Sequence, residues 1–203
     1  MTTLAEPVTQ PVTQPVTPQV GHPLLPRRTG HRSKVGLVAG GLGTYWPQFP
    51  DLLPQLQRGA ARVAERVRGM DCEVVDVGFL SDAHDGARAA EQLRVAGCDV
   101  ILLYATTYLT ASMVAPIAQR SGAPIVVLNL QPSKVMDHAK FDTGAWLAYC
   151  GACPLPEISN TFERLGVGFR SISGYLEEER AWRKIESWVA GAGAPACGLA
   201  GTA

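Results

Sequence analysis

Four short runs of strand character punctuate the first two thirds of the chain, and each is followed by apolar positions recurring at helical spacing. The first, Lys34-Val35-Gly36-Leu37-Val38-Ala39, runs into the glycine-rich stretch Gly40-Gly41-Leu42-Gly43-Thr44-Tyr45-Trp46. After Pro47, Pro50 and Pro54, the positions Leu52, Leu53, Leu56, Ala60, Val63 and Val67 predict a helix that ends at Gly69. A second strand is expected over residues 72–79. The helix behind it begins near Ser81 or Asp82, carries Ala87, Ala90, Leu93 and Val95 inward, and closes at Gly97. A third strand is expected over 99–104, a third helix over about 110–120 with Gly122 behind it, and a fourth strand over 124–130.

Strict alternation of this kind requires right-handed crossovers and a parallel sheet with helices on both faces. The expected fold class is therefore α/β, a Rossmann-like or flavodoxin-like three-layer sandwich with a mainly parallel sheet. Such sheets bind ligands beyond the carboxyl ends of their strands, which makes the turn from Gly40 to Trp46 the first candidate site. The last third reads less regularly: a loop over 131–142, helices over 143–150 and 156–165, a short strand over 168–172 and a helix over 175–189. One domain spanning 34–190 is expected. The Pro/Thr/Gln-rich stretch 1–33, with its tandem Pro-Val-Thr-Gln units, and the Gly/Ala-rich stretch 191–203 are expected to be disordered tails.

Composition narrows the partners. The 203 residues are 46% apolar, enough for one sizeable core. Eighteen Lys plus Arg balance eighteen Asp plus Glu, so no overall basic field draws nucleic acid or anionic lipid. No apolar run approaches the roughly 20 residues of a membrane span. The amino-terminal stretch lacks a charged start followed by an apolar core, so the expected location is cytoplasmic. Five scattered cysteines do not form a disulfide framework, and reduced thiols are expected. The basic cluster Arg27, Arg28, His31, Arg32 and Lys34 reads as a solvated lead-in to the first strand, with an anion contact as the alternative.

Several motifs resemble catalytic devices. Gly41-x-Gly43 sits where a dinucleotide fingerprint would, but Trp46 stands where the third glycine should permit close packing. A tight turn exposing Thr44 and Tyr45 to a cleft is the better reading. Cys150-Gly151-Ala152-Cys153 has redox-dithiol spacing, yet it follows a helical rather than a strand-like segment, so packed cysteines are favoured over a reactive pair. Asp142 within Phe141-Asp142-Thr143-Gly144 reads as a helix N-cap rather than a protease carboxylate. Glu177-Glu178-Glu179-Arg180 reads as a solvated face that complements a helix dipole. Of the four histidines, His22, His31, His84 and His138, only His138 approaches the ligand edge, and a surface role is favoured for it. No metal ligand set is legible.

The opening strand and turn with Tyr45, the fourth strand ending in Leu128-Asn129-Leu130-Gln131-Pro132, and Gly151-Ala152-Cys153-Pro154-Leu155-Pro156-Glu157-Ile158 together resemble the N-terminal domain of the L-fucose and L-arabinose isomerase superfamily. The resemblance runs from about Lys34 to Val189. It implies aldose–ketose isomerisation of a small-molecule sugar, a divalent cation, typically Mn2+, held in domains beyond this one, and a homo-oligomer. It also implies that this chain is a lone N-terminal portion, without a catalytic residue, metal ligand or cofactor of its own, and inactive alone. In the arabinose branch the first turn and the loop after the fourth strand line a neighbouring subunit's sugar pocket. By position Tyr45 matches the turn's tyrosine and Gln131 the loop's glutamine. Leu42 stands where glutamine is usual, and Thr44 where leucine is usual. The implied substrate-binding residues are Tyr45, Thr44 and Gln131. A stand-alone sugar-binding module and a thiol oxidoreductase using Cys150 and Cys153 are the alternatives.

Overall fold

The computed structural model describes residues 32–140 and 142–192. Strand and helix alternate as the pattern predicts: β1 (Ser33–Gly40), α1 (Leu52–Arg68), β2 (Cys72–Leu80), α2 (Ala83–Ala96), β3 (Val100–Ala105), α3 (Ala111–Arg120) and β4 (Ile125–Gln131). A 3-10 turn at His138–Lys140 and a second at Cys150–Ala152 flank α4 (Thr143–Leu147); α5 (Leu155–Arg164), β5 (Phe169–Tyr175) and α6 (Glu179–Ala192) follow. Of the expected tails, residues 1–33 and 191–203, Ser33 instead opens β1 and residues 191–192 close α6; residues 1–31 and 193–203, like Phe141, lie outside the described residues.

All five strands are parallel and lie in the order β2-β1-β3-β4-β5. This is the flavodoxin-like order, and it confirms the expected fold class. The order follows from burial. β3 reads as an unbroken apolar run and β4 as one interrupted only by Asn129, because both of their faces are covered: every residue of Val100–Ala105 and Ile125–Leu130 is buried, and Gln131 at the end of β4 is partly exposed. β2 lies at an edge and alternates partly exposed positions.

Side chains of β1, β3 and β4 divide by parity between two cores. Val35, Leu37, Leu102, Tyr104 and Leu128 face α1 and α6, where Val63, Val67, Trp182 and Ile185 close the layer. Val38, Ile101, Leu103 and Val127 face α2, α3 and α5, which supply Leu93, Met113, Ile117 and Phe162. A small third cluster of Leu52, Leu56, Leu147, Ala148 and Cys150 sits where the start of α1 meets the chain around α4.

Local signals hold at several ends. Asp82 caps α2 by accepting from Asp85 N at 2.8 Å, and Gly97 ends it at φ 63°, a left-handed conformation that glycine adopts without strain. Asp142 caps α4 by accepting from Ala145 N at 2.7 Å, as expected.

Three expectations are corrected. Val95 is 71% exposed, because the buried face of α2 is Gly86, Ala89, Ala90 and Leu93, and a residue two places beyond Leu93 points to the opposite side. The helix expected over 143–150 stops at Leu147, and the chain continues into the 3-10 turn at Cys150. β5 runs to Tyr175, so the helix expected from there begins at Glu179. Leu176 and Glu177 turn the chain here, with Glu178 N donating to Tyr175 O at 2.9 Å, and Leu176 ties the turn down, its N–H donating to Gln131 O at 2.9 Å and its carbonyl accepting from Trp182 Nε1 at 2.7 Å.

The described part of the basic cluster is ion-paired, Arg32 with Asp71 at 3.0 Å and Lys34 with Glu73 at 3.5 Å. No helix among the described residues is long and apolar enough to cross a membrane.

Candidate functional site

β1 lies between β2 and β3, so the chain reverses its direction of sheet growth at β1 and β3, and their carboxyl ends open a crevice there. The turn Gly41–Trp46 occupies this point. Its first three amides are already bonded: Gly41 N to Leu80 O at 3.0 Å, Leu42 N to Tyr108 O at 2.9 Å and Gly43 N to Ser81 O at 2.8 Å. A phosphate cradle needs these donors free, so the turn stitches three loops together instead. Its glycines serve the same close approach. A Cβ on Gly41 would lie 2.5 Å from Thr107 Cγ2, and one on Gly43 2.7 Å from Ser81 O. Trp46 completes the seam, with Nε1 donating to Ser81 Oγ at 3.1 Å.

The three predicted sugar-binding residues border this edge but do not line one cavity. Thr44 is exposed and, with Leu42, Ser81, Asp82 and Thr110, borders a cavity of about 470 Å³ on the α2 and α3 side. Tyr45 is half-buried against the third cluster, its ring 6.5 Å from that of Trp46 in an edge-on arrangement. Burial, with Cys150 and Cys153 nearby, raises its pKa, so the phenol stays protonated and can donate at neutral pH. Gln131 ends β4. Its Nε2 donates to Asn129 Oδ1 at 2.9 Å, and Asn129 Nδ2 donates on to Ser173 Oγ at 3.3 Å. Gln131 Oε1 is buried and accepts no hydrogen bond.

The chain from Thr143 to Cys153 covers the carboxyl ends of β3 and β4. Thr107 Oγ1 donates to Leu147 O at 2.6 Å, and Gly151 lies so close that a Cβ there would be 2.5 Å from Ala105 O and 3.2 Å from Asn129 Oδ1. Cys150 is buried here at 3% exposure while Cys153 is exposed. Burial first, and the neighbouring Cys153 second, push the Cys150 pKa up to about 12. A redox dithiol needs an accessible thiolate, and Cys150 is the reverse of that. Packing is the role its surroundings support.

Two residues the sequence reading missed belong to this edge. Tyr108, just past β3, donates its hydroxyl to Glu157 Oε2 at 2.5 Å, while Glu157 Oε1 accepts from Ala111 N at 2.7 Å at the start of α3. The hydrogen bond to Glu157, then burial, raises the Tyr108 pKa. The signal was present in Thr106-Thr107-Tyr108, a polar run directly after an apolar strand, at the position that singled out the turn after β1. On the opposite side of the edge a second cavity of about 300 Å³ lies between α1 and the ends of β3 and β4, bordered by Arg58, Thr106 and Pro132.

His138 is exposed in its 3-10 turn and His84 is exposed in α2. His22 and His31 lie outside the described residues. The acidic run at the start of α6 is not merely solvated, since Glu177 and Glu179 pair with Arg62 and Arg66 of α1. Among the described residues no group of three His, Cys, Asp or Glu side chains is placed to hold a metal ion, so the cation that the resemblance implies has no fitting seat among them. No protein-family model matches the chain, and a search of curated proteins finds no match to it.

Proposed function

We propose that this chain is the substrate-cleft portion of an aldose–ketose isomerase of the L-fucose and L-arabinose isomerase type, supplying sugar contacts to a metal-dependent reaction whose ligands lie outside the described residues. The observation that carries the reading is the partnerless Oε1 of Gln131, buried at the carboxyl end of β4 with its amide oriented by Asn129. A buried acceptor left unbonded costs about 1–3 kcal/mol, and a ligand hydroxyl arriving at this edge would recover it.

The chemistry assigned to this chain is binding and orientation. Gln131 accepts from a sugar hydroxyl, the Tyr45 phenol donates to one and lays its ring against the carbon skeleton, and Thr44 can do either. The catalytic cation would polarise the carbonyl and hydroxyl oxygens during isomerisation. No step is assigned to it here, because the described residues do not hold it. Assembly into a homo-oligomer belongs to the same proposal.

The test is isomerase activity of the purified chain with added manganese across a panel of aldoses, repeated with the chain fused to the C-terminal domains of a related isomerase. Silence alone and activity in the fusion, reduced by Tyr45→Phe and Gln131→Met, are expected. Turnover by the unfused chain would overturn the claim that the metal set lies elsewhere. Sugar binding without metal, coupled with an inactive fusion, would identify a stand-alone binding module instead.

A further inference from the structure

Gln55, Arg58, Arg62 and Arg66 follow one another on α1 at spacings of three, four and four, and so share one face of the helix. That face meets the loop between β5 and α6, and the first turn of α6, as a ladder. Arg66 donates to both carboxylate oxygens of Glu179 at 2.7 Å and stacks 4.4 Å from the Trp182 ring centroid. One turn on, Arg62 donates to Glu177 at 2.5 Å. One turn further, Arg58 has no carboxylate among the described residues. The acids in register with it along this helix, Asp51 and Glu65, are each seven residues away, about 10 Å along the axis.

What Arg58 meets instead is the cavity of about 300 Å³ at the carboxyl edge of the sheet. Gln55, Arg58 and Arg62 give it a polar rim. Leu56, Pro132, Ala148 and Leu176 give it an apolar wall. The hydroxyls of Tyr104 and Thr106, also at its border, already donate to Leu130 O at 3.0 Å and Gly40 O at 2.8 Å. The donors left for a ligand therefore come from the rim. A mostly apolar concavity with a few convergent donors, at the ligand edge of a parallel sheet, is the usual form of a small-molecule site.

We infer that this cavity is an oxyanion site, in which Arg58 binds the phosphate or carboxylate of a small polyhydroxylated metabolite whose carbon skeleton lies on Leu56, Pro132, Ala148 and Leu176. The planar guanidinium donates two parallel N–H groups to such an anion, and the Gln55 amide supplies a third donor. The external anion occupies the place that Glu177 and Glu179 occupy on the lower rungs. The inference shares with the proposed function only the location of the ligand edge, and it requires no isomerisation.

Isothermal titration of the purified chain with ribose 5-phosphate, ribonate, inorganic phosphate and neutral ribose tests it, using Arg58→Gln, Arg58→Lys and, as a control on the exposed end of α3, Arg120→Gln. At least one of the two anionic polyols should bind more tightly than ribose, and which one binds identifies phosphate or carboxylate as the recognised group. Competition by inorganic phosphate would assign the affinity to the phosphate itself. Arg58→Gln should weaken binding about tenfold or more, Arg58→Lys less, and Arg120→Gln not at all. Circular dichroism of each variant establishes that it is folded. No binding of any anion, or equal binding by wild type and Arg58→Gln, would overturn the site. Ribose binding that matches the anions and ignores Arg58 would also overturn it, while leaving the sugar-cleft reading standing. Anion binding beside an inactive isomerase fusion would keep the site and remove that reading.

Discussion

The Tyr108 hydroxyl and the first free amide of α3 share a single carboxylate, Glu157, whose Oε2 accepts from Tyr108 at 2.5 Å and whose Oε1 accepts from Ala111 N at 2.7 Å. One side chain on α5 thus fixes both the loop after β3 and the start of the helix that follows. Glu157→Ala should destabilise the protein by about 1.5–3 kcal/mol, the range for hydrogen bonds to a charged group. Adding Tyr108→Phe to that variant should cost less than the same change in wild type, since its partner is already gone. Urea unfolding of the four proteins in the cycle measures the coupling, and strict additivity would show that the pair contributes nothing.

Tyr104 sets an alkaline limit. Its hydroxyl donates to Leu130 O at 3.0 Å, and burial raises its pKa above the usual 10.0. In the unfolded chain the phenol ionises near its usual value, while the folded protein holds the proton. The linked stability is therefore present in full below about pH 10 and is lost as pH rises above that towards the raised value. Tyr108 adds a contribution of the same sign. Tyrosinate absorbance followed together with far-ultraviolet circular dichroism should show the Tyr104 phenol ionising only as the fold is lost. Tyr104→Phe should flatten the alkaline decline and cost about 1 kcal/mol at neutral pH, because Leu130 O loses its donor.

The two thiols near the site should behave differently. Cys153 is exposed, whereas Cys150 is buried with its pKa pushed up to about 12 from 9.0. Alkylation at pH 8 followed by peptide mass spectrometry should therefore modify Cys153 first and reach Cys150 only in denaturant. The protonated Cys150 contributes stability that is complete below about pH 9 and declines as pH rises from there to about 12. Comparable labelling rates in the native protein would reopen the dithiol reading.

Gly151 is the tightest point of the cover over β3 and β4. A methyl group there would sit 2.5 Å from the Ala105 carbonyl, a backbone atom in a central strand that cannot move aside. Gly151→Ala should cost about 1–3 kcal/mol by overpacking. The displaced segment carries Cys150, so the variant should also expose that thiol to alkylation. Gly168→Ala meets no atom within 4 Å and serves as the comparison.

The elements of the fold were legible because each depends on one local pattern. Val100–Ala105 and Ile125–Leu128 are apolar on both faces, and the neighbouring helices carry their own periodicity. Strand order was not legible, since it depends on which helix packs on which face. The site divides in the same way. The rule that ligands lie beyond strand ends singled out the turn with Thr44 and Tyr45, whereas Gln131 entered only through the family resemblance. The Arg58 cavity and the bridge from Tyr108 to Glu157 join residues of elements far apart in the sequence, and no spacing announces them. Val95 was misread for a related reason: an apolar residue near the end of a helix is read as buried until its angle to Leu93 is known.

Gln131 gives the sharpest separation of structural from functional roles. Its Nε2 donates one hydrogen bond to Asn129 Oδ1, worth about 1 kcal/mol, while its buried Oε1 lacks a partner at a cost of similar size. Gln131→Met keeps the length and shape of the side chain and removes both terms, but leaves the buried Asn129 Oδ1 without its donor, so it should destabilise the unliganded protein by about 1–3 kcal/mol. If the amide serves only the fold, nothing else should change. If it accepts from a sugar hydroxyl, the same variant should lose about tenfold or more in sugar affinity, because a site built around a hydroxyl contact discriminates through the partner left unpaired. Thermal unfolding with and without sugar reads both quantities on one sample. An unaltered ligand-induced shift in Tm for Gln131→Met would remove Gln131 from the binding site, whatever its effect on the unliganded protein.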